Sequence, residues 1–142
     1  MLKNAIWITG AEGRLGSALV ELLKKEMDNK VVGTDMDVDI TDMEAVEQCM
    51  KVYRPNIVIN CASISDTDYC EKNMVQAYKV NALGARNLAA ASRSANAKII
   101  QLSTDDVFSG LALGHLTEFD VPDPQSVYGK SKYAGENYVK EL

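Results

Sequence analysis

The architecture of the chain turns on residues 5–16, Ala5-Ile6-Trp7-Ile8-Thr9-Gly10-Ala11-Glu12-Gly13-Arg14-Leu15-Gly16. The first five form a short, mostly apolar run, the form of a buried strand. Glycines at 10, 13 and 16 follow at once. Leu15, Ala18, Leu19, Leu22, Leu23 and Met27 then recur at helical spacing, which predicts a helix over about 14–27 with one apolar face. A glycine triple alone says little. Set directly after a strand and directly before a helix, it lets the backbone turn and lets a pyrophosphate come close. The helix N-terminus then supplies unpaired N–H groups and partial positive charge.

Val31 and Val32 mark a second strand ending at Asp35, 19 residues after Gly16. A carboxylate there accepts hydrogen bonds from an adenosine ribose 2′-hydroxyl and repels a 2′-phosphate. Arg14 pairs with a phosphate or is simply solvated, so NAD and NADP both stay open. Thr41-Asp42-Met43-Glu44 has the form of a capping box and predicts a helix to about Tyr53, with Val46, Cys49, Met50 and Tyr53 apolar. Pro55 stops it. Ile57-Val58-Ile59 reads as a third strand buried on both faces. Residues 71–95 read as mostly helical with a break near Gly84, and Lys98 to Leu102 as a fourth strand. Residues 105–125 hold Gly110, Gly114, Pro122 and Pro124 and read as loop; a last helix starts near Ser126.

Strands alternating with helices predict an α/β fold, a Rossmann-like doubly wound parallel sheet, with strand order 3-2-1-4 if the crossovers are right-handed. In such a sheet the last helix normally returns to a fifth strand. Residues 1–142 are therefore read as an NAD(P)-binding domain, truncated before the later strands and a C-terminal substrate lobe, and expected to be weakly active or inactive alone. Uncovered, the fourth strand's edge and one face of the last helix predict low stability or self-association.

Length and composition agree with one domain. At 142 residues the chain can bury a true core, and 46% hydrophobic with 25% charged residues is a globular balance. A net charge of −5 without a basic run argues against nucleic-acid binding. No apolar run approaches the ~18 residues of a membrane span. Cys49, Cys61 and Cys70 are odd in number and in no CxxC spacing, so a reducing cytoplasm is the expected location. Cys61 reads as a small buried residue and His115 as a solvent-exposed one. Met27, Met43, Met50 and Met74 read as core filler. The acids at 35, 37, 39 and 42 read as ribose and adenine contacts plus solvated groups, and no metal is expected.

Tyr128 and Lys132 stand at i and i+4 on the last predicted helix and share a face. A free tyrosine has a pKa near 10, and a neighbouring ammonium favours the phenolate; reaching ~7 takes about 4 kcal/mol of differential stabilisation. Ser103-Thr104-Asp105 lies just past the fourth strand, where ligand sites of open α/β sheets gather. A hydroxyl there can stabilise charge developing on a carbonyl oxygen. Asn60-Cys61-Ala62-Ser63 follows the third strand at the same edge.

These residues resemble the extended short-chain dehydrogenase/reductases. Within that superfamily, Asn60 to Ser63, Asp68 with Glu71, Val80-Asn81-Ala82, Ser103-Thr104-Asp105 with Val107-Phe108, Glu118 with Asp120, and Pro124 through Tyr128 and Lys132 to Glu136 look like the dTDP-4-dehydrorhamnose reductase family. The likeness runs over essentially the whole chain. It implies reduction of the 4-keto group of a dTDP-linked deoxysugar by NADH or NADPH, giving dTDP-L-rhamnose. Carried over, Tyr128 protonates the carbonyl oxygen, Lys132 lowers the pKa of Tyr128 and holds the nicotinamide ribose, and Thr104 orients the carbonyl. Gly10, Gly13, Arg14, Leu15 and Gly16 line the pyrophosphate. Asp39 and Ile40 meet the adenine; Cys61, Ala62 and Ser63 flank the nicotinamide half. Asn81 has at most a positioning role. The family pattern has tyrosines where this chain has Ile64 and Asp106, so Ser65 and Asp106 mark the expected substrate side. Because of those two positions, another extended-type sugar-nucleotide epimerase or reductase is an alternative. A non-catalytic dinucleotide-binding regulatory module is another.

Overall fold

The computed structural model describes residues 4–111 and 114–142. The loop expectation at 112–113 lies outside the described residues. Along the chain run β1 (Asn4–Thr9), α1 (Arg14–Lys24), β2 (Asn29–Thr34), α2 (Met43–Tyr53), β3 (Ile57–Asn60), α3 (Thr67–Lys72) and α4 (Met74–Tyr78). A π-helical turn (Lys79–Gly84) leads into α5 (Ala85–Ser94), then β4 (Lys98–Gln101), a 3-10 turn (Asp105–Val107) and α6 (Val127–Glu141). The four strands pair in parallel. The α/β class and the parallel sheet are as expected.

The strand order is not. It is β2-β1-β3-β4, with β3 beside β1 rather than outside β2. The cause lies in which face each helix covers. Side chains alternate across a strand. Ile6, Ile8 and Ile59 pack under Leu19, Val20 and Leu23 of α1. Trp7 and Val58 point the other way, into a cluster with Val46, Cys49 and Met50 of α2 and Leu88 and Ala91 of α5. A right-handed crossover on the opposite face must travel in the opposite direction. Since α2 lies across the sheet from α1, β3 passes β2 by and pairs with the free side of β1.

The helix ends differ in smaller ways. α1 stops at Lys24, and Met27 beyond it is 95% exposed. Leu15, Ala18 and Leu22 are exposed too; the face that packs is Leu19, Val20 and Leu23. Met74 is also exposed, so of the four methionines only Met50 is buried, with Met43 packed against the core. α2 is capped by Asp42, not Thr41: its carboxylate accepts the Glu44 N–H at 2.9 Å. The third helical stretch begins at Thr67, capped by Asp66, and is wound as π-helix before Gly84 rather than broken there. α6 starts as expected, with Ser126 as its cap.

All three thiols are free. Burial raises the pKa of each, and at Cys61 the Lys132 ammonium pulls the other way. Among the described residues no helix is long and apolar enough to cross a membrane.

Candidate functional site

The carboxyl ends of the strands are tied together by side chains. Trp7 Nε1 donates to Thr34 Oγ1 at 2.9 Å. The Thr9 hydroxyl donates to Asn60 Oδ1 at 2.6 Å, Asn60 Nδ2 to Gln101 Oε1 at 2.8 Å, and Gln101 Nε2 to the Leu102 carbonyl at 3.0 Å. Thr9 and Asn60 are buried, so this ladder runs where water cannot compete. It sets the loops that leave β1, β3 and β4 at one edge.

Two of those loops touch. Gly10 has φ +63°, and a Cβ there would lie 2.6 Å from the Ala62 backbone nitrogen. The chain can therefore turn out of β1 beside the loop after β3 only with glycine at this position. Gly13 donates its N–H to the Gly10 carbonyl at 3.2 Å, and α1 then begins without a side-chain cap. This edge is also where the crossovers diverge, α1 to one face and α2 to the other, the usual place for a ligand crevice.

A cavity of about 620 Å³ opens there. Gly10 and Gly13 border it from the first loop, Asp35, Asp39 and Ile40 from the loop after β2, and Cys61, Ala62 and Ser63 from the loop after β3. Arg14, Leu15 and Gly16 are not on its wall. Asp35 Oδ2 accepts the Glu12 N–H at 3.0 Å, which joins the glycine turn to the end of β2. The neighbouring acids have local work. Asp37 accepts the Asp35 N–H at 2.7 Å. Asp39 accepts both the hydroxyl (2.7 Å) and the N–H (2.8 Å) of Thr41, which hold its carboxyl below the ordinary range. Met36, Val38, Thr41, Ile64, Gln76, Lys79 and Val80 complete the wall. Ile64 stands out in sequence only as a departure from the family pattern. Lys79 and Gln76 belong to no motif; they arrive because α4 and the π turn pass over the cavity. Lys79 lies near enough to draw the Asp39 pKa down.

Thr104, Tyr128 and Lys132 are not on the wall of this cavity; Cys61, which is, acts on the Lys132 charge. The Lys132 side chain is 3% exposed, and its Nζ donates to the Leu102 carbonyl at 2.7 Å. Burial lowers its pKa, while Cys61 and Glu136 act to raise it. Tyr128 is half-buried and packs against the cluster of Cys70, Ala77 and Val127, as Ile64 does. Its pKa is raised, first by burial, against a lowering hydrogen bond with Thr104; Asp106, Cys70 and Asp105 raise it further. Lys132 is not among the groups that shift the phenol here; one of its donors is engaged by the Leu102 carbonyl. Ser65 is exposed, and Asp106 donates its N–H to Thr104 Oγ1 at 3.2 Å.

Two supports escaped the sequence reading or were undervalued by it. Asn81, 2% exposed in the π turn, accepts the Ile64 N–H at 2.8 Å and donates to the Ile64 carbonyl at 2.9 Å and to Ser131 Oγ at 3.0 Å. It thus binds the loop after β3 to α6 one turn past Tyr128. Glu71 of α3 accepts the Val127 N–H at 2.7 Å, a second cap on the helix that presents Tyr128.

Comparison with known proteins finds the RmlD substrate binding domain family over residues 4–142. The chain is 38% identical over 136 residues to the dTDP-4-dehydrorhamnose reductase of Aggregatibacter actinomycetemcomitans, covering 95% of this chain and 46% of that protein. It is 36% identical over 135 residues to the spore coat polysaccharide biosynthesis protein SpsK of Bacillus subtilis, covering 95% and 48%. Among solved structures it resembles the Bacillus anthracis dTDP-4-dehydrorhamnose reductase in complex with NADP (TM-score 0.95, 43% identity, 100% of this chain and 51% of that one). The Clostridium acetobutylicum orthologue is also similar (TM-score 0.93, 49% identity, 96% and 49%). The chain spans about half the length of the relatives it matches. With a family match over nearly all its residues and a strand-edge cleft of the matching architecture, the chain belongs to the RmlD substrate binding domain family.

Proposed function

We propose that this chain is the cofactor-binding portion, over residues 1–142, of an NAD(P)H-dependent reductase acting on the 4-keto group of a dTDP-linked deoxysugar, converting dTDP-4-dehydrorhamnose to dTDP-L-rhamnose. The observation that carries the reading is the arrangement at one sheet edge. A cleft lined by the glycine turn, Asp35 and Asp39 has Cys61 and Ile64 on its wall. Cys61 acts on the buried Lys132 ammonium, and Ile64 packs on the same apolar cluster as the half-buried Tyr128, whose phenol bonds to Thr104. Bound there, NAD(P)H supplies the hydride. The uncapped first turn of α1, at Arg14, Leu15 and Gly16, offers N–H groups to the pyrophosphate. Asp39 and Ile40 meet the adenine, and Cys61, Ala62 and Ser63 flank the nicotinamide half.

Tyr128 acts as the general acid. A raised pKa keeps its phenol protonated at neutral pH, the form that can give a proton to a carbonyl oxygen. The phenolate left behind then needs a cation. Lys132 has three donors and spends one on Leu102, so two remain for the ribose and the phenolate side. Thr104 holds the carbonyl beside the phenol, with Ser65 and Asp106 on the sugar-nucleotide side. Three free thiols suit a reducing cytoplasm.

Titration with NADH and NADPH, read by nicotinamide fluorescence, tests this. Both should bind, with Asp35 holding NADPH the weaker. Asp35→Asn keeps an acceptor for the Glu12 N–H but removes the charge, and should improve NADPH relative to NADH about tenfold. Absence of binding by either nucleotide would overturn the reading.

We also propose that the chain self-associates through β4. That strand is an edge of the sheet, and Ile100 on it is 43% exposed. Sedimentation should show concentration-dependent mass, reduced by Ile100→Lys; a monomer at every concentration would refute this.

A further inference from the structure

We propose that Glu136 is a positioning residue for the reducing site: its carboxylate clamps Ser103, and with it Thr104, to α6 one turn beyond Lys132. The inference rests on the reading of Thr104, Tyr128 and Lys132 given above. Tyr128, Lys132, Glu136 and Lys140 follow at intervals of four on α6 and form one stripe. That stripe holds two consecutive residues past the end of β4. Lys132 Nζ donates to the Leu102 carbonyl at 2.7 Å, and the Ser103 hydroxyl donates to Glu136 Oε1. Thr104 comes next, and its hydroxyl serves both the Asp106 N–H and the Tyr128 phenol.

Glu136 itself is well held. Its side chain is 18% exposed, and Oε2 accepts from Lys140 Nζ at 3.3 Å. Charged and titratable groups reach the two site residues from several elements. Cys61, after β3, and Glu136 face Lys132; Asp105 and Asp106 of the 3-10 turn and Cys70 of α3 face Tyr128. Burial opposes the Lys132 ammonium and Glu136 supports it. One carboxylate therefore has two separable tasks. Its hydrogen bond fixes where Thr104 stands, and its charge opposes the lowering of the Lys132 pKa by burial.

Two variants of the 142-residue chain separate the tasks, read by NMR of ¹⁵N-labelled lysine and by amide exchange. Glu136→Gln keeps an oxygen for Ser103 and loses the charge. The Lys132 midpoint should fall, with exchange at Asp106 and Val107 unchanged. Ser103→Ala keeps the charge and loses the bond. Exchange at Asp106 and Val107, whose N–H groups bond to Thr104, should then quicken about tenfold with the Lys132 midpoint unmoved. No midpoint shift in the first variant, no faster exchange in the second, or both readouts moving in both variants would overturn the proposal. Adding NADPH to the wild-type chain keeps the two readings distinct. No binding, with the crossed pattern intact, removes the reductase assignment and leaves the clamp.

Discussion

Gly16→Ala should abolish cofactor binding and destabilise the chain, even though the substitution adds one methyl group. A Cβ at residue 16 would sit 2.1 Å from the Gly10 carbonyl oxygen and 2.8 Å from its carbon. Both are backbone atoms, so no side chain can swing aside. Gly10 cannot retreat, because it is held against the Cys61–Ala62 backbone in a left-handed conformation. The first turn of α1 must therefore lift off the end of β1, at about 2–4 kcal/mol. The N–H groups offered to a pyrophosphate move with it, and NADPH affinity should drop at least about a hundredfold. Thermal melting and nucleotide titration check the two halves. A variant that melts like wild type and binds NADPH within threefold would show that α1 does not seat on Gly10 as described.

The same residue shows why some of the site could be read from sequence and some could not. A strand, a glycine turn and a helix are local, so residues 5–16 carry their own geometry, and the cleft around Gly10 and Gly13 follows from spacing alone. Asp35 was legible for the same reason: it ends the next strand. Strand order was not. The apolar set Val46, Cys49 and Met50 says that α2 has a buried face, but nothing in its spacing says which side of the sheet it meets. Only the pairing of that face with Trp7 and Val58 decides it. Had β3 lain outside β2, Cys61 to Ser63 would stand two strands from Gly10 and the cleft would have no far wall. Long-range partners were hidden likewise. Asn81 with Ile64, Glu71 with Val127 and Glu136 with Ser103 are 17, 56 and 33 residues apart. No periodicity links them, although the family resemblance had singled out the segments around them. The ammonium of Lys132 illustrates a last limit: i, i+4 spacing puts it on the Tyr128 face, but says nothing of the Leu102 carbonyl to which it donates one of its three protons.

In the proposed reductase of which this chain is the cofactor-binding portion, Tyr128→Phe should leave fold and cofactor binding almost intact while turnover of the keto sugar nucleotide falls roughly 10²–10⁴-fold, the usual worth of a positioned general acid. The ring itself is a packing element against the cluster of Cys70, Ala77 and Val127, and phenylalanine keeps that ring. Only the hydroxyl goes. Thr104 loses a partner but keeps the Asp106 N–H at 3.2 Å, so the 3-10 turn is not set adrift. Asn81, Ser131 and Glu71 hold α6 through other atoms and do not depend on the phenol. The melting temperature should stay within a few degrees and NADPH affinity within about twofold. The pH profile adds a second check. Burial lowers the Lys132 pKa and raises that of Tyr128, so it favours proton loss at the ammonium and opposes it at the phenol, each relative to the free group. An alkaline fall in turnover set by Lys132 should persist in the residual activity of Tyr128→Phe and vanish in Lys132→Met, whereas one set by the phenol should vanish in Tyr128→Phe. Unchanged turnover in Tyr128→Phe, in a preparation containing this chain that reduces the sugar nucleotide, would take the proton from some other group and leave the phenol a packing residue.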